Sequence, residues 1–167
     1  LRIAYVGGLT EAKGVFKILE IAREVPGAEF LLIGVATPVV RDVLEERLHK
    51  WGLGQRCRLA GALSNSEVHA TLANSDVFLF PSAHLEGFPI SVAEAMAIGL
   101  PVVAAPAGAI PEMIDDKRGG YVIPREQTAA YVEALVRLQQ NPELRKQMGA
   151  YNKDKARRMY DYDVVVR

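Results

Sequence analysis

The sequence predicts an open, doubly wound α/β fold: a mostly parallel sheet of about six strands with helices on both faces. Three observations lead there. Short apolar runs rich in β-formers alternate with amphipathic segments along the whole chain. The runs FLLIG, VFLFP and PVVAA are continuous rather than alternating, as strands buried on both faces must be. Gly and Pro punctuate the boundaries between the two kinds of segment.

Taken in order, RIAYVG is a first strand ending at Gly7-Gly8. EAKGVFKILEIAREV follows with Val15, Ile18, Leu19 and Ala22 at helical spacing, and Pro26-Gly27 stops it. AEFLLIG is a second strand, and PVVRDVLEERLHKWG a second amphipathic helix closed by Gly52. RCRLAG is the third strand; NSEVHATLANS is the third helix, capped by Ser64 or Asn65. DVFLFPS is a fourth strand ended by Pro81, and ISVAEAMAIG a helix ended by Gly99. PVVAA and GGYVIP supply the fifth and sixth strands, and helices near 126–140 and 142–158 finish the chain.

A length of 167 residues, half of them apolar, suits one domain spanning 1–167 with a sizeable core. Lys plus Arg and Asp plus Glu number 20 each, so the net charge is zero, which argues against a general nucleic-acid or membrane-binding surface. The single Cys57 cannot form an internal disulfide and fits a reducing compartment. LRIAYVGG opens without the apolar core of a secretory signal. The longest uncharged stretch, 95–111, is broken by Pro101, Pro106 and Pro111 and reads as buried core rather than a membrane span. The expectation is a cytoplasmic protein, at most associated with the cytoplasmic membrane face. Because the first residue is Leu and a strand begins at once, a missing N-terminal portion is also expected.

In doubly wound sheets ligands bind beyond the carboxyl ends of the strands, so the strand-to-helix loops are where chemistry is sought. The first, VGGLTEAKG, has glycines that let backbone N–H groups approach a phosphate, and Lys13 adds a cation near a helix start. Its spacing fits neither a dinucleotide fingerprint nor a P-loop, and a Gly-rich turn with a solvated lysine is the equal alternative. The loop PSAHLEGFPISVAEA leaves the fourth strand, turns at Gly87 and enters a helix between Pro89 and Ser91, with Pro89 suited to the first helical position. That helix start offers unpaired N–H groups and a partial positive charge. Glu86 lies just before it and Glu94 within its first turns. Each acid has a simpler reading: Ser91 to Glu94 matches a capping box, and Glu86 could be a solvated loop acid.

HLEGFPISVAEAMAIGLPVVAAPAGAIPEMI closely resembles the signature of the C-terminal, donor-binding domain of retaining glycosyltransferases of the GT-B fold, family four (group 1). The mark is two glutamates with seven residues between them, a helix, a Gly-Xaa-Pro-Val-Val strand and a Gly-Xaa-Ile-Pro-Glu turn. Glu86, Glu94, Gly99, Pro101, Val102, Val103, Gly108, Ile110, Pro111 and Glu112 occupy those places. VGGLTEAKG resembles the family's diphosphate loop, with Lys13 at the lysine position, and LAG, ANSDVFLFPS and GGYVIP follow in family order. The fold implied is Rossmann-like.

The resemblance implies roles. Glu86 becomes the catalytic residue and binds the donor sugar's hydroxyls, with the backbone N–H groups of Gly87, Phe88 and Ile90 nearby. Glu94 accepts both ribose hydroxyls; Lys13, next to the loop that includes Gly8, holds the diphosphate with the helix start; the base lies near 58–63. The ligand implied is a nucleoside-diphosphate sugar carrying a hexose-type residue. No cofactor or metal is implied, so protein cations must stabilise the departing diphosphate. The acceptor, and the family's usual catalytic histidine, belong to an N-terminal domain absent from this chain. The other enzyme classes of the fold, epimerases and phosphorylases, and a non-catalytic nucleotide-binding module are the alternatives.

Two departures stand out. Gly8 occupies the place where the family usually has Arg, removing one of two cations expected on the diphosphate, and Ala109 replaces a glycine. Of His49, His69 and His84, none matches the family's histidine; only His84, two residues before Glu86, could touch a ligand, and that is the minor reading. Lys153, Lys155, Arg157 and Arg158 read as a solvated helix face, with an anionic-lipid patch as the minor alternative. YDYDVVVR resembles the point where the family's chain crosses back to the N-terminal domain.

Overall fold

A computed structural model describes residues 1–85 and 87–160. Its elements run β1 (Arg2–Val6), α1 (Val15–Glu24), β2 (Glu29–Ile33), α2 (Pro38–Lys50), β3 (Cys57–Gly61), α3 (Asn65–Ala73), β4 (Val77–Phe80), α4 (Ile90–Ile98), β5 (Val102–Ala104), α5 (Ile110–Met113), β6 (Gly120–Val122), α6 (Thr128–Gln140) and α7 (Pro142–Met159). The six strands form one sheet in the order β3-β2-β1-β4-β5-β6, and every pairing is parallel. On one side α1 packs against α2 and α6; on the other α4 packs against α3 and α7. This is the doubly wound α/β architecture expected, with the sheet wholly rather than mostly parallel.

The continuous apolar runs explain its centre. Every residue of β4 and of β5 is buried, because helices cover both faces there. Tyr5, Phe78 and Phe80 stack in series, with ring centroids 5.9 Å apart for Tyr5–Phe80 and 6.1 Å for Phe78–Phe80. Arg56 donates from its guanidinium to the carbonyls of Ala22, Val25 and Ala28, so β3 closes the carboxyl end of α1.

Several boundaries differ from the sequence expectation. Residues 11–14 form a turn rather than a helical turn, because Gly14 caps α1 at φ 84°, in the left-handed region. Pro89 is the N-cap of α4, not its first helical residue: its ψ of 101° is extended, and the helix begins at Ile90. The Ile-Pro-Glu turn is wound into the short α5.

Helix α7 is less solvated than its charge suggests. Gly149 lies against the end of α4, where a Cβ on it would come within 2.0 Å of the Gly99 carbonyl oxygen. The buried Asn152 donates from Nδ2 to the carbonyls of Leu100 and Gly119, tying α7 to the entries of β5 and β6. Lys155, read above as part of a solvated face, is instead buried; its Nζ donates to the Glu112 carbonyl and to Asp115 Oδ1, both at 2.9 Å. Arg157 and Arg158 are exposed as expected. The resemblance found in YDYDVVVR falls almost wholly on 161–167, outside the described residues.

Candidate functional site

The strand order dictates where a ligand can lie. Winding runs outward from β1 toward β3 and, in the other direction, from β4 toward β6. The loops after β1 and β4 therefore diverge over the sheet and leave a crevice at the carboxyl ends. Both loops that the sequence singled out are there.

The two loops are stitched to each other. Ala83 and His84 donate their N–H groups to the Ala12 carbonyl at 2.9 and 3.2 Å. Gly14 presses on the Pro81 carbonyl so closely that a Cβ would sit 2.2 Å from its oxygen. Below the first loop, Tyr5 donates its hydroxyl to the Gly8 carbonyl at 2.9 Å, and a Cβ on Gly7 would be 2.7 Å from that hydroxyl oxygen. Gly7 is thus required by the ring beneath it. Gly8 is exposed, has no positive φ, and a Cβ there would meet nothing nearer than Thr10 Cγ2 at 4.0 Å. Nothing in the backbone excludes an arginine at Gly8. Lys13 is half-buried in the last turn before α1, with its N–H directed to Thr10 Oγ1 at 3.2 Å.

The ends of β2 and β3 complete the rim. Gly7 donates to the Ile33 carbonyl, Leu9 to that of Val35, and Gly34 to that of Gly61. Of the segment 58–63 expected near a base, only the carboxyl half reaches this rim. Arg58 lies toward the amino end of β3, where with Arg2, Leu31 and Thr71 it lines a separate concavity at the opposite edge of the sheet.

At the head of α4, Val92 and Ala93 donate to the Pro89 carbonyl, which leaves the N–H groups of Ile90 and Ser91 ahead of the first intrahelical bonds. Phe88 and Ile90 are exposed, and Phe88 meets the Tyr160 ring edge-on at a centroid distance of 5.1 Å. The capping box proposed for Ser91 and Glu94 does not form: the N-cap is Pro89, which has no side-chain cap bond, and Ser91 lies inside the helix. The same Ser-Xaa-Xaa-Glu spacing is used at α3 instead. There the Ser64 hydroxyl accepts the Glu67 N–H, while Glu67 accepts the Ser64 N–H at 2.8 Å. The Ser64 hydroxyl and N–H hold the Glu67 carboxyl below its usual range.

Released from capping, Glu94 turns to a different partner. His69 on α3 lies with Nε2 3.1 Å from Glu94 Oε1, and both side chains are largely buried, 17% and 15% exposed. Sequence reasoning assigned His69 no role and gave His84 ligand contact only as a minor reading; His84 is exposed in the loop after β4. Nothing in the local pattern marks His69: its proximity to Glu94, twenty-five positions away, exists only once α3 packs beside α4. Glu86 lies outside the described residues. Among the described residues no three His, Cys, Asp or Glu side chains gather as a metal site, and no helix is long and apolar enough to cross a membrane.

Comparison with known proteins agrees with this fold. The family model described as glycosyl transferases group 1 matches residues 1–155. The amylovoran biosynthesis glycosyltransferase AmsK of Erwinia amylovora is 33% identical over 149 residues, 84% of this chain and 36% of its own length. The chain thus spans about a third of the length of the curated relatives it matches. Among solved structures, the C-terminal domain of a group 1 glycosyl transferase family protein (LpcC) from Francisella tularensis superposes with a TM-score of 0.86 at 26% identity, covering 95% of this chain and 85% of that one. Anabaena HepE, solved with UDP and glucose, superposes at 0.91 with 19% identity over 99% of this chain and 46% of that one.

Proposed function

This chain belongs to the group 1 glycosyl transferase family, and from that premise we propose that it is the donor-binding part of a retaining glycosyltransferase that uses a nucleoside-diphosphate sugar. The observation that carries the proposal is the largely buried Glu94 carboxylate on α4, the helix that follows β4 and whose first N–H groups, those of Ile90 and Ser91, precede the first intrahelical bonds. A nucleoside diphosphate presents the complementary groups: an anion for the helix start and a vicinal diol for a carboxylate with two acceptor oxygens. HepE, which has the same fold, was solved with UDP and with UDP-glucose.

Glu94 binds the ribose hydroxyls. Lys13 and the N–H groups at the head of α4 bind the diphosphate, and the Gly61–Leu63 edge lies beside the base. Glu86 engages the sugar hydroxyls, with the backbone N–H groups of Gly87, Phe88 and Ile90 nearby. When the bond from the anomeric carbon to the diphosphate oxygen breaks, its electron pair leaves with the diphosphate. Lys13 and the α4 dipole stabilise that charge where it develops, without a metal ion. A hexose-type sugar passes to an acceptor held by an N-terminal domain outside these residues. An exposed apolar rim of Val35, Val39, Leu85, Phe88 and Ile90 around the crevice supports such a neighbour.

Gly8, in the place of an arginine, favours a second reading, a nucleotide-binding module without catalysis. Titration with UDP-, GDP- and ADP-sugars tests the proposal directly. Saturable binding of one sugar nucleotide is expected. Failure of all three at millimolar concentration would reject donor binding, and binding without turnover in the protein that carries its acceptor domain would favour the second reading.

A further inference from the structure

Among the described residues, His69 is the one side chain that hydrogen-bonds Glu94. A carboxylate only accepts, so the proton of the pair is on His69 Nε2, directed at Glu94 Oε1. One such bond leaves Oε2 and a second lone pair on Oε1 for other donors. Glutamate has three rotatable bonds, and a free carboxylate on α4 would have to be ordered by each ligand that arrives. His69 does this ordering in advance. Its own backbone is fixed independently, since Ser64 and Glu67 cap α3 and α3 packs beside α4.

We propose that His69 is a positioning residue for nucleotide recognition: it holds the Glu94 carboxylate in the orientation that accepts the 2′- and 3′-hydroxyls of a ribose. This rests on the assignment of Glu94 to the ribose. It goes further in making selectivity for ribonucleotides over deoxyribonucleotides depend on a residue of α3 that touches no ligand. The alternative is a strut that only joins α3 to α4.

UDP, GDP and ADP are titrated into the 167-residue chain by calorimetry, and the tightest is compared with its 2′-deoxy analogue. The parent should prefer the ribonucleotide about tenfold or more. His69→Ala should lose about five- to tenfold in ribonucleotide affinity while the deoxy analogue changes less than about twofold. His69→Gln, which keeps an N–H donor near the Nε2 position, should restore most of the preference. His69→Phe, which fills the space without a donor, should behave as His69→Ala and replaces it if the smaller residue does not fold. Equal losses for both analogues, or an intact ribose preference in His69→Ala or His69→Phe, would show a strut and overturn the proposal while leaving Glu94 on the ribose. A parent that does not distinguish the two analogues, or binds none of the three nucleotides, would overturn the Glu94 assignment first and this inference with it.

Discussion

Gly14 and Pro81 come from loops on different strands, yet the Gly14 α-carbon lies against the Pro81 carbonyl, with no space for a Cβ. That contact holds the loops after β1 and β4 against each other. It also fixes the start of α1, since Gly14 at φ 84° is its N-cap. Gly14→Ala would add left-handed backbone strain and an overlap with backbone that has no freedom to move aside. It should destabilise the fold by about 2–4 kcal/mol and weaken nucleotide binding as well. Gly8→Ala, at an open position, should change stability by less than about 0.5 kcal/mol. Thermal or denaturant unfolding of the two variants checks the contrast.

The diphosphate reading makes Lys13 a direct ligand. A bond from an ammonium group to an ionised phosphate contributes roughly 1.5–3 kcal/mol. Lys13→Ala should therefore lower nucleoside-diphosphate affinity about tenfold or more. Gly8→Arg should raise it, because Gly8 needs no positive φ and has free space around its Cα. Calorimetry with a nucleoside diphosphate and the matching nucleoside separates the two contributions, since the nucleoside should be insensitive to both changes. Unchanged diphosphate affinity in Lys13→Ala would take this loop out of the site.

The sheet could be read from the chain because burial on both faces imposes continuous apolar runs such as VFLFP, a signal that survives without tertiary information. The loops that carry the site could be read because Gly7, Gly8 and Pro89 mark turns wherever they fall. What could not be read depends on contacts between distant elements. The Ser-Xaa-Xaa-Glu spacing occurs at both Ser64 and Ser91; which one caps a helix depends on Pro89 starting α4 two residues early. Lys155 looks like a surface lysine until α7 packs over Glu112 and Asp115. His69 has no sequence neighbour that suggests Glu94 as its partner.

The clasp between α7 and the segment after α5 carries a pH signature. Lys155, and then the Tyr151 hydroxyl, bond to the Asp115 carboxylate and hold it below the ordinary aspartate value of 3.8. The same carboxylate raises the Tyr151 phenol above its ordinary 10.0. A lowered carboxyl favours the folded state above pH 3.8, and that stabilisation disappears as the pH falls through the folded pKa. A raised phenol favours the folded state below pH 10.0, and that contribution is lost as the pH rises toward the folded value. Asp115→Asn should cost about 1–2 kcal/mol at neutral pH, by leaving Lys155 without its carboxylate. The penalty should shrink as the pH falls below 3.8 toward the lower folded value, where the parent's own carboxyl protonates. Urea unfolding at several pH values measures both.

The chain by itself should transfer no sugar, because transfer requires donor and acceptor held at reacting distance in a closed cleft and the acceptor site is proposed to lie in another domain. Donor hydrolysis and transfer assays on the purified 167-residue chain test this. Robust transfer to any acceptor would place the acceptor site within these residues.

The sharpest test concerns the two glutamates. Glu94 caps nothing, and its partner His69 donates to it, an arrangement that the single carbonyl oxygen of glutamine can also accept. Glu94→Gln should therefore melt within a degree or two of the parent. A ribose diol asks for more. Two hydroxyl donors must share what remains after His69 is satisfied, and glutamine offers one acceptor oxygen in place of two and no charge. The loss should be about 1–3 kcal/mol, or roughly ten- to a hundredfold in nucleotide affinity. Glu86→Gln should act on a different part of the ligand. Its proposed partners are hydroxyls of the sugar, so free nucleoside diphosphate should bind as in the parent while the sugar nucleotide binds more weakly. Calorimetry of both variants with both ligands gives four affinities, and the assignments require loss of both ligands in one variant and of only the sugar nucleotide in the other. If Glu94→Gln binds the nucleoside diphosphate as tightly as the parent does, the carboxylate belongs to the α3–α4 interface alone and the ribose must be held elsewhere.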